Sequence, residues 1–405
     1  MSGSVEQQEI TAAPSDDPTP GMRRRRWWRR SLVLVAAVLV VALVGGTFGV
    51  AWWFADQEIG VDHGPRQDTV LAVENAGAGR NVVLTASSPD ARHRGTYWMS
   101  WDGAFAQVGD IVAEAPGKVT RPLLAGATPP LGTSVYVGAA VPSDPKTGLG
   151  LDYSEVTVPT ELGPAVSWLI PAQDPAATTW VVAVHGQNGQ RKAMLPIAPV
   201  LHRLGLPMLV LGYRNDEAAP RSPDHLLHLG GSEWRDVEAA VRYAQGHGAH
   251  RIVLYSESNG GQINGQFLTH SPLADTVTAV VMDAPTTSMP QVAAYAGKQH
   301  GVPGFVVDLT DKIIEWRTGD DWAALDLLTH PPTVKPPLLV LQGDADTQAP
   351  PQMNRDFYAA SRRIGWPMQY AEFPGAEHVE AWNSDPARYN QLVHDFLATT
   401  ALPAR

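Results

Sequence analysis

The chain has 405 residues, 44% hydrophobic and 18% charged, which suffices for a sizeable core and for two or three compact units. Its formal net charge is −11, and residues 1–30 contribute +2, so the remainder carries −13; such an acidic body offers no field for phosphates and excludes nucleic acid as an expected partner. There are no cysteines, which excludes disulfides, cysteine-based metal sites and thiol nucleophiles.

Residues 1–30 hold Pro14, Pro18, Pro20 and several acids, and end in an arginine cluster, Arg23–Arg26, Arg29 and Arg30. They are expected to form a disordered cytoplasmic tail. Residues 31–54, SLVLVAAVLVVALVGGTFGVAWWF, follow without a charge. As a helix this stretch reaches about 36 Å, enough to cross a bilayer core with some tilt. Trp27, Trp28, Trp52 and Trp53 stand at its ends, where amphipathic rings prefer the interface. The arginines precede the span, and Asp56, Glu58 and Asp62 follow it. Positive-inside bias then predicts a single-pass protein of the cell membrane, with its N-terminus cytoplasmic and its catalytic part extracellular. A cleaved signal peptide is the competing reading. The run is too long for a usual signal core and no A-x-A site follows, so an uncleaved anchor is expected.

Residues 57–150 alternate β-prone runs (Thr69–Val73, Asn81–Ala86, Thr96–Trp101, Ser134–Val137) with Gly/Pro turns, and read as a small β-rich unit. No catalytic signature lies in it, and Trp98 and Trp101 are expected to pack. From residue 151 to 405 strands alternate with helices. Trp180–Val184, Pro207–Leu211, Arg251–Tyr255, Ala279–Met282, Leu338–Leu341 and Met368–Phe373 read as buried strands. Helices are expected over Glu233–Gln245, Gly261–Thr269, Gln352–Ile364 and Pro386–Thr399, with a helical stretch over Lys192–Leu204 disturbed by Pro196 and Pro199. The pattern predicts an α/β fold: a mostly parallel sheet covered by helices on both faces.

Within that frame, Arg-Ile-Val-Leu-Tyr-Ser-Glu-Ser-Asn-Gly-Gly (251–261) places Ser258 on the turn between a strand and a helix. A tight elbow needs small residues two before and two after the serine; Gly260 supplies one, and Ser256 stands where glycine is usual. The bland reading of such a run is a serine helix cap. Downstream, Leu338–Leu341 runs into Gln342-Gly343-Asp344-Ala345-Asp346, where Asp346 is the expected acid, with Asp344 and Asp283 as rivals. His378, on the loop after Met368–Phe373, is the expected base. The order Ser, Asp, His fits a nucleophile activated by a held imidazole. His185-Gly186-Gln187-Asn188-Gly189 follows the strand Trp180–Val184, so the backbone N–H groups of Gln187 and Asn259 are the expected oxyanion donors. His185 reads as structural, and His225 and His228 as loop and packing residues. No metal site or cofactor is expected.

On these residues (His185-Gly186, Ser256–Gly261, Gly343 to Pro350, Gly375–His378) the segment from about 151 to 399 resembles the α/β-hydrolase superfamily, in its prolyl-oligopeptidase-like and serine-aminopeptidase-like branch. An anchor followed by a small β unit is similar to actinobacterial membrane hydrolases. The resemblance implies a serine hydrolase acting on an ester, or secondarily an amide or peptide bond, in a small-molecule or peptide substrate. The other function kept in view is a catalytically silent scaffold of the cell envelope. Residues 284–336 would be an inserted cap. Its Met289, Tyr295, Phe305, Ile313, Ile314, Trp316 and Trp322 either line an acyl pocket or pack the cap's own helices.

Overall fold

A computed structural model describes residues 20–60 and 67–402. The first helix, α1 (Pro20–Ile59), is continuous, so the end of the expected tail is helical; residues 1–19 lie outside the described residues. Proline suits a first helical position, and the arginines and tryptophans that follow sustain a helix rather than break it. Its part Ser31–Ile59 is long and apolar enough to cross a membrane. Leu32 to Val44 expose their apolar side chains, whereas Ala51, Ala55 and Ile59, four apart on one face, are fully buried.

Seven antiparallel strands follow: β1 (Asp68–Ala76), β2 (Gly79–Thr85), β3 (Tyr97–Trp101), β4 (Ala104–Val108), β5 (Ala113–Ala115), β6 (Lys118–Gly126) and β7 (Ser134–Gly138). The four β-prone runs of the sequence fall on β1, β2, β3 and β7. The others were hidden by a small-residue composition in β4 and by Lys118, Arg121 and Pro122 in β6. Pairing runs β2-β1-β7-β3-β4-β6 and returns from β6 to β2, so six strands close a barrel and β5 hangs on β6. Closure removes the sheet edges. Val70, Leu84, Met99, Trp101 and Val108 fill the interior, and Trp98 packs instead on the next domain's core. Arg121 is buried, with its guanidinium donating to the carbonyls of Ala91, His93, Gly95 and Gly109.

After the short helix α2 (Pro145–Leu149), the hairpin β8 (Ser154–Thr160) and β9 (Gly163–Ile170) opens an eight-stranded sheet. Its other strands are β10 (Thr179–Val184), β11 (Met208–Val210), β12 (Arg251–Glu257), β13 (Val277–Asp283), β14 (Leu338–Gly343) and β15 (Met368–Phe373). Strands β10 to β15 run parallel, and β9 joins antiparallel to β11. Strand β10 shows why the sequence read as a continuous apolar run: Val181 and Ala183 enter one core, Trp180, Val182 and Val184 the other. The first core is closed by α3 (Ala198–Arg203), preceded by a 3-10 stretch at Pro196. The second is closed by α4 (Trp234–Gly246) and α5 (Asn259–His270). Between β13 and β14 lie α6 (Met289–Gln299) and α7 (Gly304–Thr318). The chain ends with α8 (Pro351–Ile364), α9 (Ala381–Ser384) and α10 (Pro386–Thr400). Strand order reverses at β10, whose neighbours are β11 and β12. A crevice at the carboxyl ends of the strands is thereby created, which is where ligands enter open α/β sheets.

Candidate active site

Ser258 sits between the end of β12 and the start of α5 with φ 51° and ψ −126°, a conformation that costs a non-glycine residue on the order of 1–3 kcal/mol. Three backbone hydrogen bonds hold it. Its N–H donates to the Asp283 carbonyl at 2.8 Å, and its carbonyl accepts from Gly261 at 2.9 Å and Thr286 at 3.1 Å. Gly260 is obligatory: a Cβ there would lie 2.4 Å from the Val184 carbonyl oxygen. Ser256 is tolerated where glycine is usual; it is fully buried, and its hydroxyl has no partner among the described residues.

The structure brings Ser258, His378 and Asp346 together. His378 Nε2 lies 2.7 Å from Ser258 Oγ, and Nδ1 lies 2.9 Å from Asp346 Oδ2. Asp346 is buried. Its Oδ1 accepts from the N–H groups of Gln348 and Ala349, each at 2.8 Å, and its Oδ2 accepts from Gln342 Nε2 at 2.9 Å. Gln342 is itself held by Asn354, whose amide donates to it at 2.6 Å. Sequence reasoning missed both. The signal available was one polar residue ending the apolar run of β14. Burial opposes a charge on His378, but the Asp346 carboxylate, through its charge and hydrogen bond, outweighs that and raises the imidazole above its ordinary pKa.

The rival acids have other partners. Asp344 accepts the Gly375 N–H at 2.6 Å and ties the acid loop to the histidine loop. Asp283 accepts the Tyr389 hydroxyl at 2.8 Å, and its other oxygen has no partner among the described residues. Burial pushes Asp283 up to about 7, against the Tyr389 hydrogen bond. Glu257, its register neighbour across β12 and β13, is raised by burial and then by the Asp283 charge. Burial behind Ser258 thus shifts both carboxyls toward the neutral form.

Gly186 packs directly on Ser258, since a Cβ there would lie 2.8 Å from Ser258 Cβ. Gln187 follows it, and Asn259 opens α5, so its N–H has no acceptor within the helix. His185 is buried and holds this loop. Its Nε2 is 3.0 Å from Asp216, its Nδ1 2.9 Å from the Gly186 carbonyl, and its ring stacks on Tyr213. The side chains of the loop reach elsewhere. Gln187 Nε2 donates to the Glu58 carbonyl, and Asn188 Nδ2 donates to the Gly60 carbonyl at 3.2 Å. The end of α1 is thus bound to the loop beside Ser258, a contact across 129 positions with no local signal.

One expectation is corrected. His228 is not a plain packing residue: it lies between Asp320 at 2.6 Å and Asp224 at 3.0 Å. Burial opposes its charge, yet Asp320 foremost raises it to about 9, so it clamps the segment after α7 to the core. His225 is a loop residue with φ 61°. Of the two readings kept for the cap's apolar residues, the contacts support packing. Met289, Ile313, Ile314 and Trp322 pack with Ala51, Ala55 and Ile59 of α1, while Phe305 and Trp316 face outward. Tyr295 donates its hydroxyl to the Asp346 carbonyl at 3.3 Å.

Sheet order, elbow and loop positions define an α/β-hydrolase fold. Residues 225–401, which carry the elbow, the acid loop and the histidine loop, match the prolyl oligopeptidase family. Residues 69–138, the barrel, match a domain of unknown function, DUF8805. The chain is 24% identical over 260 residues to an uncharacterized protein of Mycobacterium tuberculosis, covering 61% of this chain and 80% of that one. It is 23% identical over 221 residues to the Arabidopsis thaliana α/β hydrolase domain-containing protein WAV2, covering 52% of this chain and 66% of that one. Among solved structures it is similar to the Pyrococcus furiosus esterase Pf2001, with TM-score 0.50 and 21% identity, over 63% of this chain and 93% of that one. The chain has an α/β-hydrolase fold with a prolyl oligopeptidase family match over residues 225–401, and it is a serine hydrolase.

Proposed function

We propose that Ser258 is the nucleophile, His378 the general base and Asp346 the acid that orients it, in an enzyme that hydrolyses an ester through an acyl-enzyme. The observation that carries this reading is the continuous chain of hydrogen bonds, 2.7 Å from Ser258 to His378 and 2.9 Å from His378 to Asp346. With Nδ1–H donated to Asp346, Nε2 is free to take the Ser258 proton as Oγ attacks the carbonyl carbon. The backbone N–H groups of Gln187 and Asn259 receive the oxyanion. Collapse breaks the ester C–O bond, and His378 returns the proton to the departing alcohol. Water, deprotonated by the same imidazole, then releases the acid and restores Ser258. Amide or peptide bonds are the second choice. The family match favours them, and the Pyrococcus furiosus relative, an esterase, favours the first.

Residues 31–54 anchor the enzyme, with the N-terminal arginines cytoplasmic and the units 57–150 and 151–405, including a cap over 284–336, outside the cell. The silent-scaffold alternative finds no support in a site whose three groups are within bonding distance. A fluorophosphonate probe on the full chain in detergent tests the reading. The adduct is expected on the Ser258 peptide and is expected to vanish in Ser258→Ala; labelling that survives, or that moves to Ser256, overturns it. A panel of esters and peptides separates the two bond classes.

A further inference from the structure

From Ser31, about 20 helical residues cover a hydrocarbon core of about 30 Å and bring α1 to Val50. At the next residue its environment changes. Ala51, Ala55 and Ile59 are buried against the cap, largely by α7. The Thr310 hydroxyl, 2.9 Å from the Val306 carbonyl of its own helix, also lies 3.3 Å from the Ala51 carbonyl, and Arg317 pairs with Asp56 at 3.0 Å while lying over Trp52. Helix α7 therefore rests on α1 where α1 leaves the apolar layer.

The outer face of α7 is unusual for a water-facing surface. Phe305 is 63% and Trp316 73% exposed, and eleven residues, about three turns, place them on one side of the helix. Exposed Asp308 and Lys312 lie between them on the same side, half-buried Leu309 packs toward the core, and Val306, Thr310, Ile313 and Ile314 face inward. A phenylalanine and a tryptophan flanking a lysine, whose amine lies 2.5 Å from Glu315 at the edge of the face, make an interfacial helix face. Trp316 also meets Trp52 with ring centroids 6.1 Å apart, so this face is continuous with the aromatic end of the anchor. The nucleophile is close by. Gln187 binds the Glu58 carbonyl, which is about 10 Å along the helix from Ala51, and Gly186 touches Ser258.

We propose that the Phe305–Trp316 face of α7 lies in the bilayer interface, and that the site takes an amphiphilic ester held in that same leaflet. It rests on the reading of the chain as an anchored serine hydrolase. The absence of cysteine allows single nitroxide labels in the full chain, reconstituted in nanodiscs. Labels at Phe305→Cys and Trp316→Cys are expected to collide with a water-soluble nickel chelate about fivefold less than one at exposed Tyr358→Cys, and Leu39→Cys to exclude it. Equal nickel access at 305, 316 and 358 with exclusion at 39 overturns the surface and leaves the anchor standing. Access at 39 overturns the anchor as well. Dipolar broadening between labels at 316 assigns the face to a second copy and overturns the bilayer contact.

The substrate is tested with the double variant Phe305→Glu, Trp316→Glu. Hydrolysis of a long-chain acyl ester presented in vesicles is expected to fall about tenfold, and that of p-nitrophenyl acetate to stay within about twofold. An unchanged rate on the vesicle ester, or an equal fall on both, overturns the proposal. Failure of fluorophosphonate labelling at Ser258 would instead count against the hydrolase assignment.

Discussion

Two elements outside the parallel sheet grip the loops around Ser258, and they do so by different chemistry. The end of α1 grips the loop after β10. A helix leaves its last carbonyls unpaired, and the amides of Gln187 and Asn188 donate to those of Glu58 and Gly60. The barrel grips the histidine side. Asn383 of α9 donates to the Thr96 and Ala139 carbonyls and accepts the Thr96 N–H at 2.8 Å, and His93 lies 2.7 Å from Glu380, two residues past His378. A closed barrel has no sheet edge to offer, so these hydrogen bonds come from the segments between its strands, beside the packing of Trp98. A helix end has spare acceptors and attaches through them. The end of α1 is therefore joined to the loop beside Ser258, whereas the barrel, among the described residues, meets the segment that follows His378.

The largest effect that bears on this contrast is expected at the acid. Asp346→Asn should lower kcat by about 10⁴, because the amide stabilises the wrong imidazole tautomer. Asp344→Asn, whose carboxylate accepts the Gly375 N–H, should cost less than about tenfold; a reversed ranking would place the acid elsewhere. Next is the anchor's grip. Gln187→Leu should lower kcat on the order of tenfold with little change in KM, since the loop loses its hold on the Glu58 carbonyl. The barrel's grip should behave in the opposite way. Asn383→Ala should destabilise by about 1–3 kcal/mol in chemical denaturation, with a smaller loss of kcat than Gln187→Leu. A larger loss of kcat from Asn383→Ala would invert the comparison.

Two pH effects are smaller. His378 must be neutral to act as base, and Asp346 raises its pKa, so kcat/KM should climb with pH through a midpoint above 6.5. A midpoint at or below that value would show that the Asp346 contact is not maintained in solution. His228 tests the clamp on the cap. Its folded pKa, about 9, exceeds the unfolded value near 6.5. Its contribution is fully present below about pH 6.5 and is lost as pH rises through about 9. Tm should therefore fall between about pH 7 and 10 in the natural chain, and more steeply than in His228→Gln. Parallel curves would remove the clamp.

Much of the catalytic half was legible in the chain itself, for a local reason. The elbow, the acid loop and the histidine loop each lie at the end of an apolar strand, and a parallel sheet brings the carboxyl ends of its strands to one edge. Glycine at 260 and 343 is required by backbone approaches, to Val184 and Ala376, that such an edge imposes. Sequence could only rank Asp346 above Asp344 and Asp283, because all three carboxylates end or follow a strand; the 2.9 Å contact with His378 Nδ1 is what supports Asp346. The barrel was half legible, since β6 carries charges and a proline that hide its alternation. What only the tertiary structure decided are the contacts between distant segments: Gln342 with Asp346 and Asn354, His228 between Asp224 and Asp320, and α1 on the cap and on Gln187. The apolar run of α1 fixed a helix able to cross a bilayer. Its last turns carry no mark of their destination, because burying Ala51, Ala55 and Ile59 needs only an apolar partner, and which one is set by the packing of the whole chain.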